Sequence, residues 1–192
     1  MNIRIKTALA TVAFLMSSAA FAFDDFQIYG DIVRKWAALN GTAGPLGAPR
    51  SSEADASGGG RFNNFQFGYI YWRRDLGAHA VYGLIGRKWD LLGRERGLGY
   101  PTTDEARRFN GYSSEFSRNA TISLRRGDRE AFAVYGLIRD RWVALGREEG
   151  RCGYPLGDEF DISGGRRSNF ERGFITWRRG DRQAVAACAS RI

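Results

Sequence analysis

One segment recurs three times along this chain, at a spacing of 53 residues. Tyr29, Tyr82 and Tyr135 each precede a glycine, and a tryptophan follows each of them, at Trp36, Trp89 and Trp142. A duplicated unit of about fifty residues is too small to bury its own apolar face, so the copies must press against one another to make a core. Arrays of this kind usually offer a surface to a partner, which directs attention to binding before catalysis.

Each copy reads as four parts. A short strand comes first, 78–82 and 131–135 in the clearest copies, with 27–29 as the earliest candidate. A helix follows, in which Ile32, Trp36 and Leu39, then Ile85, Trp89 and Leu92, then Ile138, Trp142 and Leu145 fall at i, i+4 and i+7. That spacing makes one apolar stripe on a helix. Asn40-Gly41, Gly93 and Gly146 end the helices, because these residues accept the left-handed cap conformation. Third is a Gly-Pro loop over 44–49, 97–101 and 151–155, whose prolines bar further helix. The fourth part is a hairpin whose first strand ends in Phe65, Phe116 or Phe170 and whose second strand leads to a polar turn at 73–75, 125–128 or 178–181. The middle copy holds one residue more between Phe116 and Leu124, which predicts a β-bulge there.

The fold class expected is therefore α+β: three tandem repeats of about 53 residues, each a short antiparallel strand set plus one helix, arranged as a compact pseudo-threefold or a short solenoid. The units run over about 26–78, 79–131 and 132–184. A fourth copy of the first strand, 185–188, has no helix after it and is read as a cap on the third unit.

The first 22 residues are not read as fold. Arg4 and Lys6, an apolar stretch from Thr7 to Ser18 and the small residues Ala20-Phe21-Ala22 have the layout of a secretory signal cleaved after Ala22. The apolar stretch is too short for a stable membrane span. Losing Arg4 and Lys6 would lower the formal net charge by two, from +8 to +6. A basic domain is attracted to polyanions, but its arginines recur singly or in pairs, and no dense block marks a nucleic-acid arm. Cys152 and Cys188 remain, and in an oxidising compartment they favour a disulfide, with two separate buried thiols as the alternative. They stand at the repeat positions of Leu46 and Leu98, and of Tyr82 and Tyr135. If they are bonded, Leu46 packs near Tyr82 and Leu98 near Tyr135.

Several runs carry a specific resemblance: Gly-Tyr-Ile-Tyr-Trp at 68–72, the stretch 77–83 ending in Val81-Tyr82-Gly83, the helix tryptophan, and Leu98-Gly99-Tyr100-Pro101 followed by Thr102-Thr103-Asp104-Glu105. Together they resemble the LGFP repeat family over essentially all of 23–192. The loop aromatic is Tyr100 or Tyr154 where the family has phenylalanine, and Ala48 stands there in the first loop. The resemblance implies an extracytoplasmic module. In mycolic-acid bacteria such repeats are appended to mycolyl transferases and other envelope proteins, where they are associated with cell-wall attachment and arabinogalactan binding. No enzyme is attached here, so only the binding half of that description carries over.

Catalytic sets are hard to assemble. His79 is the single histidine, and its place is taken by Phe132 and Val185 in the other copies. No metal-ligand spacing, phosphate loop or Ser-His-Asp set is apparent, and no cofactor is expected. Asp104-Glu105 and Asp158-Glu159 could form the carboxylate pair of a glycoside hydrolase. Their recurrence after a proline, with Ser52-Glu53 in the first copy, favours a structural task or a polar grip on a glycan. Arg126-Gly127-Asp128 and Arg179-Gly180-Asp181 read as turns. Tyr71, Trp72 and Trp177 lie at hairpin ends beside Arg73, Arg74 and Arg178, a pairing suited to stacking on a sugar ring and gripping its hydroxyls. The sequence thus points to a secreted, non-catalytic module for cell-wall or extracellular polysaccharide. A structural or protein-interaction role as an envelope effector or adhesion factor is the alternative.

Overall fold

A computed structural model describes residues 26–189; the signal-like segment lies outside the described residues. The fold is α+β and built from tandem repeats. Three four-stranded antiparallel meanders follow one another: β1 (Ala54–Ala56) to β4 (Gly77–Tyr82) through β2 (Gly60–Asn64) and β3 (Gly68–Arg73); β5 (Ala106–Arg108) to β8 (Phe132–Tyr135) through β6 (Gly111–Phe116) and β7 (Ala120–Arg125); and β9 (Phe160–Ile162) to β12 (Val185–Cys188) through β10 (Gly165–Phe170) and β11 (Gly173–Arg178). Helices α1 (Gly30–Ala38), α2 (Gly83–Leu91) and α4 (Gly136–Ala144) are the long ones, and α3 (Arg94–Gly97) is a single turn.

The helices begin and end for local reasons. Gly30, Gly83 and Gly136, the first residues of α1, α2 and α4, all have φ between 50° and 58°. Only glycine turns the chain from an extended tyrosine into a helix this way without strain. At the far end Asn40, Gly93 and Gly146 take φ of 70°, 84° and 91° and stop each helix, as expected. The extra residue of the middle copy lies in the hairpin turn. Phe116 pairs with Ala120 across three residues, and Asn119 takes a φ of 52°. A three-residue turn ending in a left-handed residue absorbs the insertion without disturbing the strands.

The sheets run across the unit boundaries drawn from the sequence. β4 completes the first sheet and leads directly into α2; β8 completes the second and leads into α4. Residues 185–188 are likewise the fourth strand of the third sheet, pairing Gly173 with Cys188. Residues 27–29 form no strand; Gln27 accepts a backbone hydrogen bond from Glu53 instead (2.9 Å).

Each helix is pressed on a sheet, and α2 and α4 each touch two: α2 the first and second, α4 the second and third. The tryptophans hold these contacts. The indole N–H of Trp36, Trp89 and Trp142 donates to the carbonyls of Gly47, Gly99 and Gly153 at 3.0–3.1 Å. Their rings stack on Phe65, Phe116 and Phe170 at 5.7–6.1 Å. Trp89 and Trp142 are wholly buried, whereas Trp36, at the end of the array, is half-buried. Leu46 and Tyr82 belong to one apolar cluster and Leu98 and Tyr135 to another, and Cys152 is bonded to Cys188 with a Cα separation of 5.1 Å. The bond takes the place of the leucine–tyrosine contact in the third repeat.

Candidate functional site

The aspartate of each acidic pair forms a joint between repeats. Asp104 accepts from the backbone N–H of Ala80 (2.9 Å) and from Lys35 Nζ (2.6 Å), both in the preceding repeat. Asp158 does the same with the N–H of Ala133 (3.0 Å) and Lys88 Nζ (2.7 Å). In the first copy Ser52 Oγ accepts from the N–H of Gln27 (3.1 Å), the same contact without the charge. The glutamates differ. Glu53 pairs with Arg61 and Glu159 with Arg166, but in the middle copy Tyr112 holds the arginine's place beside Glu105. Burial raises the carboxyl pKa of both Glu105 and Glu159, with Arg166 opposing it at Glu159. Asp104 and Asp158 thus hold successive repeats together, while Glu159 is tied to Arg166 within its own repeat.

Asp104 gives this joint a pH signature. Burial acts to raise its pKa, but His79, Lys35 and the Ala80 amide outweigh burial and hold it well below the usual carboxylate range. A depressed carboxyl contributes stability above its unfolded pKa of about 3.9 and loses it as pH falls further. Asp104→Asn is expected to cost about 1 kcal/mol or less at pH 7, given its partial exposure. Urea midpoints followed from pH 7 to pH 2.5 should then fall less steeply in the variant than in the parent.

The aromatic positions divide. Tyr71 is only 2% exposed, and its ring meets Trp89 edge-on at 4.8 Å, Phe62 at 5.0 Å and Tyr100 at 5.8 Å. It is a core residue, because α2 of the next repeat folds back over its face of the sheet; burial pushes its phenol well above the ordinary tyrosine range. Trp72 and Trp177 are half-buried. The Trp72 indole N–H donates to Asp31 Oδ2 and that of Trp177 to the Asp181 carbonyl, both at 2.9 Å. Arg73 forms an ion pair with Asp75 at 2.7 Å and lies over the Tyr100 ring, whereas Arg74 and Arg178 point into solvent. The structure therefore does not bring these residues into one site. His79 Nε2 bonds the Leu76 carbonyl at 2.9 Å, a packing role. Both Arg-Gly-Asp triplets are turns, with Asp128 and Asp181 N–H donating to the carbonyls of Arg125 and Arg178.

The loop tyrosine explains the alanine at 48. Tyr100 reaches back to the preceding sheet, where its hydroxyl accepts from the N–H of Gly60 (3.1 Å) and donates to the Ser57 carbonyl (2.7 Å). A Cβ at Gly60 would sit 2.5 Å from the Tyr100 ring, so the glycine is the seat of the tyrosine. Tyr154 lies against Gly111, where a Cβ would sit 2.9 Å from its hydroxyl. Burial pushes the Tyr154 phenol up to about 12. Among the described residues no sheet precedes the first loop, where Ala48 stands in place of the tyrosine.

A cleft that the sequence did not reveal opens at the first joint. It has a volume of about 430 Å³ and is lined by the half-buried Phe62 over the buried Tyr71, together with Asp55, Asp90, Arg94, Glu95 and Arg96. α3, in the next repeat, supplies three of those charges. Arg94 pairs with Asp90 and lies over the Tyr69 ring at 4.4 Å, while the Glu95 carboxylate accepts from the Ser57 N–H at 3.4 Å. At the second joint the same ground is occupied by protein. Ser123 donates to Glu148 at 2.8 Å, and Arg139 and Arg147 close on Glu115. Serines replace Phe62 and Tyr71 there, at 113 and 123, so the aromatic lining belongs to the first joint. The only forewarning in the sequence was that Tyr69-Ile70-Tyr71 is the most aromatic of the three equivalent strands.

Among the described residues no group of three or more His, Cys, Asp or Glu side chains could hold a metal ion, and no helix is long and apolar enough to cross a membrane. A search of curated proteins found no match. The sequence pattern of the LGFP repeat, by contrast, matches residues 46–97 and 98–150, together more than half of the chain. Both matches start at the loop leucine, Leu46 or Leu98, and so keep the rest of the loop, a whole sheet and the following helix together. With the joints repeating along the structure in the same phase, the chain belongs to the LGFP repeat family.

Proposed function

We propose that this protein is a secreted, non-catalytic module that binds polysaccharide of the cell wall or extracellular matrix, and that the cleft at the first joint is its binding site. The observation that carries the reading is the half-buried Phe62 ring, backed by the buried Tyr71, in a cleft lined by carboxylates and guanidiniums. A sugar ring presents a C–H face for an aromatic surface and hydroxyls at its edge for charged donors and acceptors. Concave sites with an apolar floor and a few convergent polar groups are the usual form of ligand pockets. Secretion is supported by the signal-like start of the sequence and by the disulfide, which persists in oxidising compartments.

Retention of the chain from residue 23 on insoluble wall polysaccharide tests the reading. Phe62→Ala combined with Arg96→Ala is expected to weaken retention at least tenfold, because together they remove the half-buried ring and a charge of the lining. Trp72→Ala, outside the cleft, should leave retention within about twofold. Retention that persists in 0.5 M salt separates ring stacking from simple attraction of a basic protein to a polyanion, since the Debye length there is only about 4 Å. Equal loss in both variants, or no retention of the parent on any glycan tested, overturns the assignment.

A further inference from the structure

The two internal joints show what covers the end of a repeat, and among the described residues nothing stands in that place on the last repeat. In the first joint Lys35 of α1 and the outward N–H of Ala80 on β4 hold Asp104; in the second, Lys88 of α2 and Ala133 on β8 hold Asp158. Stepping once more by 53 residues leads to Arg141 on α4 and Ala186 on β12. The register is the same: Ile70 faces Ala80, Ile122 faces Ala133 and Ile175 faces Ala186, so the N–H of Ala186 also points away from its sheet. Among the described residues Arg141 makes no ion pair. Arg182, also exposed, stands beside it.

The space fits the same account. A hollow of about 370 Å³ lies between Leu137, Arg141 and Ala144 of α4 and the segment from Arg182 to Ala184. Its counterpart over α2, formed by the equivalent residues, measures about 130 Å³, and Lys88 on its wall is already bonded to Asp158. Part of the difference is Ala144 standing for Leu91. Asp140 lowers the positive charge of the hollow, but its carboxylate already accepts from Asn119 Nδ2 at 2.9 Å.

We propose that this end is a docking seat for the carboxylate of a Pro-x-x-Asp loop supplied by a partner protein that carries repeats of the same kind. The aspartate would bridge Arg141 and the Ala186 N–H, as Asp104 and Asp158 do inside the chain. A second copy of this protein does not supply it, because its first loop has Ser52 at the aspartate position, already engaged by Gln27. The partner contributes the loop and not a covering helix. The face of the third sheet where such a helix would lie is closed by the Arg167 guanidinium, 4.0 Å above the Phe174 ring. This proposal does not depend on the polysaccharide reading, since the seat and the cleft share no residue.

The test is a titration of the isotope-labelled protein with an end-blocked peptide of the internal loop, residues 99–106, followed by amide and arginine resonances. Saturable shifts at Ala186 and along α4 at millimolar peptide are expected. The Asp104→Asn version of the peptide should bind at least tenfold more weakly, as should Arg141→Ala protein; Arg141 is exposed, so that variant keeps its fold. No shift, or equal binding of the Asn peptide, overturns the proposal. Equal shifts from acetate at the same concentration would reduce the seat to an adventitious ion only. Displacement of the peptide by a galacturonate oligomer at lower concentration would give the seat to an acidic glycan. Concentration-dependent broadening at Ala186 without peptide would give it to a second copy.

Discussion

Trp89→Ala is expected to destabilise the protein by about 4 kcal/mol, within the range for removing a buried aromatic side chain. Trp89 has no exposed surface and serves two repeats at once. Its ring is edge-on to Tyr71 at 4.8 Å and Tyr69 at 6.0 Å in the first sheet, and stacked on Phe116 at 5.7 Å in the second. Its N–H also satisfies the Gly99 carbonyl, which would be left without that donor in a buried setting. Trp142→Ala should cost less, because its ring stacks on Phe170 alone and carries the Arg147 guanidinium at 5.5 Å on one side. Trp36→Ala, half-buried at the end of the array, should cost about 2 kcal/mol. Urea unfolding of the three variants would check the order, and equal losses at all three sites would contradict the account of shared joints.

Reducing the Cys152–Cys188 bond is expected to cost about 3–4 kcal/mol, the chain-entropy value for a loop of 36 residues. In a chain of this size that corresponds to a fall in melting temperature of roughly 10 °C. The effect has a second origin in this protein. The first two joints hold a leucine and a tyrosine where the third holds two small side chains, so without the bond the last strand has little to pack on. Cys152→Leu combined with Cys188→Tyr should therefore regain about half of the loss in the absence of any bond. Calorimetry of the oxidised, reduced and doubly substituted proteins would settle the comparison.

The sequence disclosed the parts of the fold because recurrence exposes them. The helix stripe, the Gly-Pro loop, the hairpin and the pairing of Leu46 with Tyr82 all follow from comparing equivalent positions. Where the chain is cut into units is not disclosed by recurrence, since any starting point gives the same period. The strand at 78–82 was assigned to the helix that follows it, whereas hydrogen bonding to β3 ties it to the sheet before it. The binding residues were less legible for a related reason. Tyr71 alternates with Ile70 along β3, and alternation places it on one face but cannot say that α2 of the next repeat covers that face. Recurrence leaves Asp104 and Asp158 either a structural task or a grip on a glycan, and cannot choose, because their lysine partners lie about 70 residues away, beyond the reach of local pattern. The cleft depends on α3 and β2 meeting across a joint, and no spacing within one copy encodes that.

Because each sheet is finished by the strand that runs into the next helix, the places where this gene can gain or lose a copy are restricted. A duplication or excision that starts at the loop leucine and spans 53 codons would exchange whole sheets and leave every backbone ladder closed. The same event begun at the helix-starting glycine would also keep β4 or β8 with its own sheet, whereas one begun at residue 78 or 131 would join three strands of one sheet to the fourth strand of another. Growth and shortening of such chains over generations should therefore gather breakpoints between the end of a fourth strand and the start of the next sheet, and avoid the turn that precedes that strand.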